Sequence, residues 1–183
     1  MDSYSTLAAS YDELTQDVDY ARRTDFVETL FRRSRIPVHT VLDLACGTGT
    51  MTALLTERGY ELIGVDASED MLLEAREKAQ GLAGVPPLFL HQSMPELDLY
   101  GTVEAAVCCL DSLNYLTDPR EVRETFRRLH LFIAPGGALV FDVHALGKLE
   151  AMDGQVWLDE REDVYCVWRT EYSRRSHRLD YYV

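Results

Sequence analysis

Between Thr40 and His144 the chain alternates two hydrophobic rhythms. Short β-branched or apolar runs at residues 41–45, 61–66, 87–91, 103–110 and 138–143 are separated by stretches whose apolar positions recur with helical period. Strands alternating with helices build βαβ units, so the pattern predicts an α/β fold: a mostly parallel sheet with helices on both faces. The punctuation agrees. Ser68 is placed to cap a helix with Glu69 and Asp70 in its first turn, and Asp118-Pro119 opens another, with Glu121 spaced to complete a capping box. In that second helix Val122, Phe126, Leu129 and Ile133 share one face, the expected surface against the sheet. Pro135-Gly136-Gly137 would end it before the next strand.

The flanks read differently. Residues 1–37 hold two helix patterns, one starting near Tyr4 and one over about 24–35, an α-helical lead-in. Downstream the period drops to two: Val164, Cys166, Trp168, Thr170 and Tyr172 alternate with Tyr165, Val167, Arg169 and Glu171. Leu179, Tyr181 and Val183 then alternate with Arg178, Asp180 and Tyr182. Such alternation predicts half-buried antiparallel strands outside the main sheet. The expected organisation is a domain over 1–145 with its lead-in helices and an antiparallel β segment over 146–183, on the carboxyl-end side of the main sheet. No internal repeat or low-complexity linker interrupts it, and 81–87 reads as a loop.

Composition narrows the function classes. A chain of 183 residues, 46% hydrophobic, can bury a full core without staples. Its 18 basic and 31 acidic residues leave a net charge of −13, which repels a phosphate backbone, so no long nucleic acid is expected as substrate. Cys46, Cys108, Cys109 and Cys166 lack metal-ligand spacing and the density of a secreted scaffold, and read as reduced thiols. No bound metal is expected. The first five residues are polar and acidic, and no apolar run approaches the roughly 18 residues of a membrane span, so the expectation is a cytoplasmic protein.

The candidate chemistry begins at Val41-Leu-Asp-Leu-Ala-Cys-Gly-Thr-Gly49, a buried strand running into a glycine turn and then a helix near Thr50. Gly47 and Gly49 would let the backbone approach a ligand where a side chain would block it, at the carboxyl end of a strand where open α/β sheets bind ligands. A tight βα turn with no ligand has the same look. The next strand ends in Gly64-Val-Asp66, which places a carboxylate nineteen residues beyond Gly47, near the spacing of an acid that holds ribose hydroxyls. With Ser68 serving as the helix cap, Asp66 is expected to be free for a ligand. A nicotinamide dinucleotide would fit both features, but its fingerprint wants a third small residue where this chain has Thr52.

Asp-Leu-Ala-Cys-Gly-Thr-Gly closely resembles the first motif of class I S-adenosylmethionine-dependent methyltransferases, and Gly-Val-Asp-Ala-Ser resembles their second. The start, Tyr4-Ser-Thr-Leu-Ala-Ala-Ser-Tyr11-Asp12, and Leu110-Asp-Ser-Leu-Asn-Tyr-Leu116 look like a group of small bacterial methyltransferases. The resemblance covers roughly 1–145 and implies a Rossmann-like fold with S-adenosyl-L-methionine as cofactor. It further implies that the backbone at Ala45 and Gly47 meets the methionine end, with Asp43 supporting the turn and the amino group. Asp66 would take both ribose hydroxyls. Met71 and Ser93-Met94 would lie near adenine, and the backbone at Leu110 would close over the methionine chain. Ser93 departs from the acidic residue most relatives place there and accepts more weakly because it carries no charge. Tyr4 and Tyr11 would offer hydroxyls to the methionine carboxylate from a helix folded over the cofactor. They would equally suit the core of an amphipathic helix.

Methyl transfer from a sulfonium is an in-line displacement that asks mostly for orientation and exclusion of water. A base is needed only for a protonated acceptor, and the candidates are Asp111 after the fourth strand and His144 after the fifth. Asn114 and Tyr115 follow closely and would line the same mouth or cap the loop. Trp157, Tyr165, Trp168, Tyr172, Tyr181 and Tyr182 make the last segment aromatic, as for a lid over a flat or apolar small-molecule acceptor, or simply a packing face. A non-catalytic cofactor-binding regulator and an NAD(P)-dependent oxidoreductase are the competing readings. In the strand order the resemblance implies, 3-2-1-4-5, the fifth strand is left at an edge. The sheet is therefore expected to be incomplete: the chain is shortened, or a homodimer partner or the strand at 179–183 fills the edge.

Overall fold

The computed structural model describes residues 7–161 and 164–183. Five strands, β1 (Thr40–Leu44), β2 (Glu61–Asp66), β3 (Leu88–His91), β4 (Val103–Cys108) and β5 (Ile133–Phe141), pair in parallel in the order β3-β2-β1-β4-β5. Helices α1 (Tyr11–Leu14) and α2 (Tyr20–Phe31) precede the sheet, and α3 (Thr50–Glu57), α4 (Glu69–Lys78) and α5 (Pro119–Phe132) connect its strands. This is the mostly parallel α/β sheet that the alternating rhythms predict.

The central strand is buried on both faces, which explains why its run is apolar without a period. Val41 packs with Val27, Phe31, Met51 and Leu55 of α2 and α3, whereas Leu42 and Leu44 pack with Leu129 and Phe132 of α5. Each such side chain taken out of water contributes roughly 1.5–3 kcal/mol. The sheet is thereby fixed between two helical layers, with every strand end on one side available to a ligand.

The helix ends follow their caps. Ser68 accepts from the Met71 N–H at 3.4 Å as expected. At α5, Asp118 accepts from the N–H of Arg120 at 2.8 Å and from its guanidinium, so Arg120 rather than Glu121 completes that turn. The lead-in helix starts at Tyr20, four residues earlier than the apolar pattern implies, because Asp19 accepts from the Arg22 N–H at 2.9 Å. The buried stripe of α5 is also rotated from the expected one. Thr125, Leu129 and Phe132 are buried, while Phe126 stands 36% exposed and Ile133 already belongs to β5. A buried threonine hides the true stripe from a reading of apolar spacing alone.

Pro135-Gly136-Gly137 lies inside β5, where the register with β4 shifts between Val103 and Ala105, and does not terminate the helix. A Cβ on Gly137 would overlap the Glu104 carbonyl, and Gly136 (φ 93°) gives its carbonyl to the Arg35 N–H and the Ser34 hydroxyl. The glycines serve a bulge that ties the end of α2 to the sheet.

Beyond β5, α6 (Leu146–Ala151) leads into an antiparallel sheet of β6 (Val156–Glu160), β7 (Tyr165–Ser173) and β8 (Arg178–Tyr182), in the order β6-β7-β8. The short connection after Ser173, with His177 at φ 52°, folds β8 back onto β7. The strand at 179–183 therefore does not fill the edge of the main sheet. Among the described residues β5 pairs with β4 alone, and Phe141, 43% exposed, rests edge-to-face on Phe126 at 5.7 Å. No described helix is long and apolar enough to cross a membrane.

Candidate active site

The turn after β1 holds three residues in the left-handed region: Ala45 (φ 60°), Gly47 (φ 54°) and Gly49 (φ 75°). It is tied to the end of β2. The Cys46 N–H donates to the Val65 carbonyl at 3.0 Å, and the Gly47 N–H donates to Asp66 Oδ2 at 2.8 Å. Asp66 Oδ1 accepts from the Ser68 N–H at 2.9 Å. Asp66 is thus engaged, where the sequence implied a free carboxylate. It anchors the glycine turn, and a carboxylate oxygen can accept a hydroxyl proton as well as an N–H.

The two glycines have different reasons. A Cβ at Gly47 would meet nothing within 4 Å, so that backbone is open to a ligand. A Cβ at Gly49 would lie 2.9 Å from the Ala75 Cβ on α4, so Gly49 lets helix and turn pack flush. Gly64 plays a similar packing part, with the Phe89 ring 2.7 Å from where its Cβ would be.

Tyr11, Tyr20, Asp43, Ala45, Gly47 and Leu110 are among the residues around a cavity of about 50 Å³ at the carboxyl ends of β1 and β4. Asp43 is 3% exposed and accepts from the Thr52 hydroxyl at 2.6 Å. Burial pushes its carboxyl up to about 6, the Thr52 bond pulls it down, and Asp66 pushes it up again. Thr52, read in the sequence only as a departure from a dinucleotide fingerprint, is the group that steadies this carboxylate. Burial also raises the phenols of Tyr11 and Tyr20 and the thiols of Cys46 and Cys109, so these line or flank the cavity as neutral groups.

β4 ends in two consecutive left-handed residues that are not glycine, Leu110 (φ 57°) and Asp111 (φ 51°). Such a conformation costs roughly 1–2 kcal/mol per residue and persists where surrounding contacts over-determine it. Here Asp142 Oδ2 accepts the Asp111 N–H at 3.2 Å. The bend brings Asp111 Oδ2 to 3.4 Å from His144 Nε2, and Asn114 Oδ1 accepts the His144 N–H at 2.9 Å. Burial raises the Asp111 carboxyl, His144 opposes that, and Asp142 adds to it. The two candidate bases are therefore together, and Asn114 positions one of them. Tyr181 of β8 reaches the same place: burial, then Asp111 and Tyr115, push its phenol up to about 12. Trp157 and Trp168 pair directly across β6 and β7 and stack at 6.0 Å, with the Trp168 indole donating to Asp159 at 2.9 Å. By strand alternation they share a face with Tyr181.

A family model described as a methyltransferase domain matches residues 41–137. The chain belongs to the class I S-adenosylmethionine-dependent methyltransferases. It is 39% identical over 170 residues to YqeM of Bacillus subtilis (strain 168), a methyltransferase by name, covering 91% of this chain and 66% of that protein. It is 31% identical over 160 residues to the dTDP-3-amino-3,4,6-trideoxy-alpha-D-glucopyranose N,N-dimethyltransferase of Streptomyces venezuelae, covering 86% of this chain and 65% of the relative. The crystal structure of an S-adenosylmethionine-dependent methyltransferase from Clostridium acetobutylicum ATCC 824 superposes with a TM-score of 0.81 at 28% identity, covering 94% of this chain and 70% of that one. The chain spans about two thirds of the length of these curated relatives.

The methyltransferase site fits S-adenosylmethionine on its donor set. A buried carboxylate beside the cavity suits an ammonium, a strand-end carboxylate suits vicinal hydroxyls, and an open left-handed glycine suits close backbone approach. Of the residues picked from sequence, Tyr11, Asp43, Ala45, Gly47 and Leu110 line the cavity, and Asp66 joins it through the Gly47 N–H. Gly49, Met71, Ser93 and Met94 do not line it. Met71 is 2% exposed within α4, Met94 packs against the core, and the Ser93 hydroxyl donates to Glu96 at 2.5 Å. Glu96 supplies an acid three residues from where the family pattern wants one. Tyr20, Thr48, Thr50, Met51, Cys109 and Ser112 also line the cavity. For the threonines the signal was present in the turn itself; for Tyr20 it was hidden by the early start of α2. Tyr4 lies outside the described residues.

Proposed function

We propose that this methyltransferase carries a methyl group to the nitrogen of a small-molecule amine held between the ends of β4 and β5 and the aromatic underside of the segment 146–183, which serves as a lid. The observation that carries this reading is the Asp111–His144 pair, set beside the Leu110 turn that lines the cofactor cavity. When bound, S-adenosylmethionine supplies a methyl group on a sulfonium, already activated toward displacement.

The chain's own part is placement and a proton. Asp43 would hold the cofactor's ammonium, Asp66 its ribose hydroxyls, and the backbone at Ala45, Gly47 and Leu110 the methionine chain. Ser93, with Glu96 behind it, would face the adenine amino group, with Met71 and Met94 packing nearby. An amine arrives at neutral pH as an ammonium without a lone pair, so it must lose a proton before it can attack. His144 would keep its Nε2–H toward Asp111 and accept that proton at Nδ1, and Asp111 would stabilise the imidazolium that forms. A net charge of −13 favours a cationic acceptor over an anionic one. The names of several relatives, among them amino-sugar and glycine N-methyltransferases, support an amine.

The test is transfer of a labelled methyl group from the cofactor to a panel of small amines and their hydroxyl counterparts. Methylated amine is the expected product, and His144→Gln should lower kcat by roughly 10²–10⁴ while the affinity for S-adenosylhomocysteine holds. Transfer to hydroxyls alone would remove the amine assignment, and cofactor binding without transfer to any acceptor would favour the regulator.

A further inference from the structure

We propose that Asp12 and Lys78 are positioning residues of a polar latch, which holds the N-terminal segment and with it Tyr11 over the cofactor cavity, so that its opening governs cofactor exchange. This rests on the assignment of that cavity to S-adenosylmethionine.

Asp12 follows Tyr11 in α1 and reaches two other parts of the chain. Its Oδ1 accepts from the Thr48 hydroxyl at 2.6 Å, and its Oδ2 pairs with Lys78 Nζ at 2.6 Å. The ammonium of Lys78 donates as well to Thr50 at 2.7 Å and Thr48 at 3.1 Å. An ammonium has three protons, and here three oxygens receive them. The last turn of α4, the glycine turn and the N-terminal segment thus meet at one charged group. They can meet because Gly49 lets α4 lie flush on the turn, as its close approach to Ala75 requires.

Two magnitudes make this a latch and not a permanent tie. The Lys78 and Asp12 side chains are 26% and 50% exposed, so their pairing is screened and individually weak. It ties down a four-residue helix whose N-cap, Ser10, makes no side-chain cap bond, and helices so short have little stability of their own. The apolar hold is small, Ala8 and Leu14 being the buried residues of this segment. The cavity that Tyr11 lines is about 50 Å³, against the roughly 300–1,000 Å³ of small-molecule sites. The cover has to lift for a cofactor to pass. Thr48 and Thr50 line that cavity as well as joining the latch, so a ligand against the turn and the closed cover stabilise each other.

The experiment measures dissociation of S-adenosylhomocysteine by stopped flow, and amide hydrogen exchange at residues 8–14, in the wild-type chain, Lys78→Met, Asp12→Asn and the charge-swapped Asp12→Lys/Lys78→Asp. Each single variant should release ligand about tenfold faster, with faster exchange at 8–14 and an unfolding midpoint close to wild type. The swap should return the rate toward wild type, and added salt should speed release from wild type more than from Lys78→Met. Wild-type release and exchange in Lys78→Met would overturn the latch. A wild-type chain that binds no S-adenosylhomocysteine would instead defeat the cofactor assignment. Exchange at 8–14 in the unliganded variants would still decide the latch: faster supports it, unchanged overturns it.

Discussion

At the cofactor end, the groups around the cavity come largely from one stretch, 43–51, and much of what they offer is backbone held in left-handed conformations at Ala45 and Gly47. At the proposed acceptor mouth the groups are side chains from scattered positions: Asp111 after β4, Asn114 beyond it, Asp142 and His144 after β5, and Tyr181 from β8. A ligand common to a whole family can be met by a local backbone device, and such a device leaves a compact string in the sequence. An acceptor particular to one enzyme is met by side chains that only the folded chain assembles, and these leave no string.

The sharpest way to break that contrast is Asp66→Ala. Asp66 belongs to the cofactor end twice, as anchor of the Gly47 N–H and as the proposed ribose acceptor. Loss of two charge-assisted hydrogen bonds, roughly 1.5–3 kcal/mol each, should weaken S-adenosylhomocysteine binding by about 10²–10⁴ in calorimetry. Asp111→Asn, at the mouth, should leave that affinity within a few-fold. Equal effects from the two variants would mean that the halves of the site are not separable.

The same contrast explains what could be read in advance. β2 is found at the residues its apolar run marks, and the caps at Ser68 and Asp118 hold because a cap is a local bond. The α5 stripe differs from the apolar spacing because Thr125 is buried without being apolar, and alternation marks β8 as an antiparallel strand outside the main sheet but does not tell which strand it pairs with. The turn's outline was legible, yet the engagement of Asp66 by Gly47 and Ser68 was not, since a strand-end carboxylate looks the same whether it faces a ligand or an N–H. Asp12 and Lys78 are far apart in sequence and of common type, so nothing in the string joins them.

A second comparison lies inside the turn. Both glycines have positive φ, so alanine at either strains the backbone by about 1 kcal/mol. Gly49→Ala adds a clash with Ala75 and should lower chemical-denaturation stability by roughly 1–3 kcal/mol more. Gly47→Ala meets no protein atom, so its further effect should fall on cofactor affinity. Reversal of that pattern would exchange the roles assigned to the two glycines.

The smallest expected effect is a pH dependence, and it separates two consequences of one buried group. Asp43 has its carboxyl raised from the ordinary 3.8 to about 6, chiefly by burial. In the unliganded chain the folded state holds this proton more tightly than the unfolded state does, so Asp43's contribution to stability is present below the ordinary carboxyl range and is lost as pH rises through about 6. Cofactor binding runs the other way. An ammonium held by Asp43 needs the ionised carboxylate, so affinity should be flat above about pH 7 and fall toward tenfold per unit once pH drops below about 6. Asp43→Asn keeps an acceptor for the Thr52 hydroxyl but cannot ionise, and should bind more weakly with little slope over this range. Calorimetric titrations at pH 5, 6 and 7, given as roughly even steps across the predicted window, compare the two proteins directly. A wild-type slope that Asp43→Asn retains would assign the pH dependence to another group and take the ammonium away from Asp43.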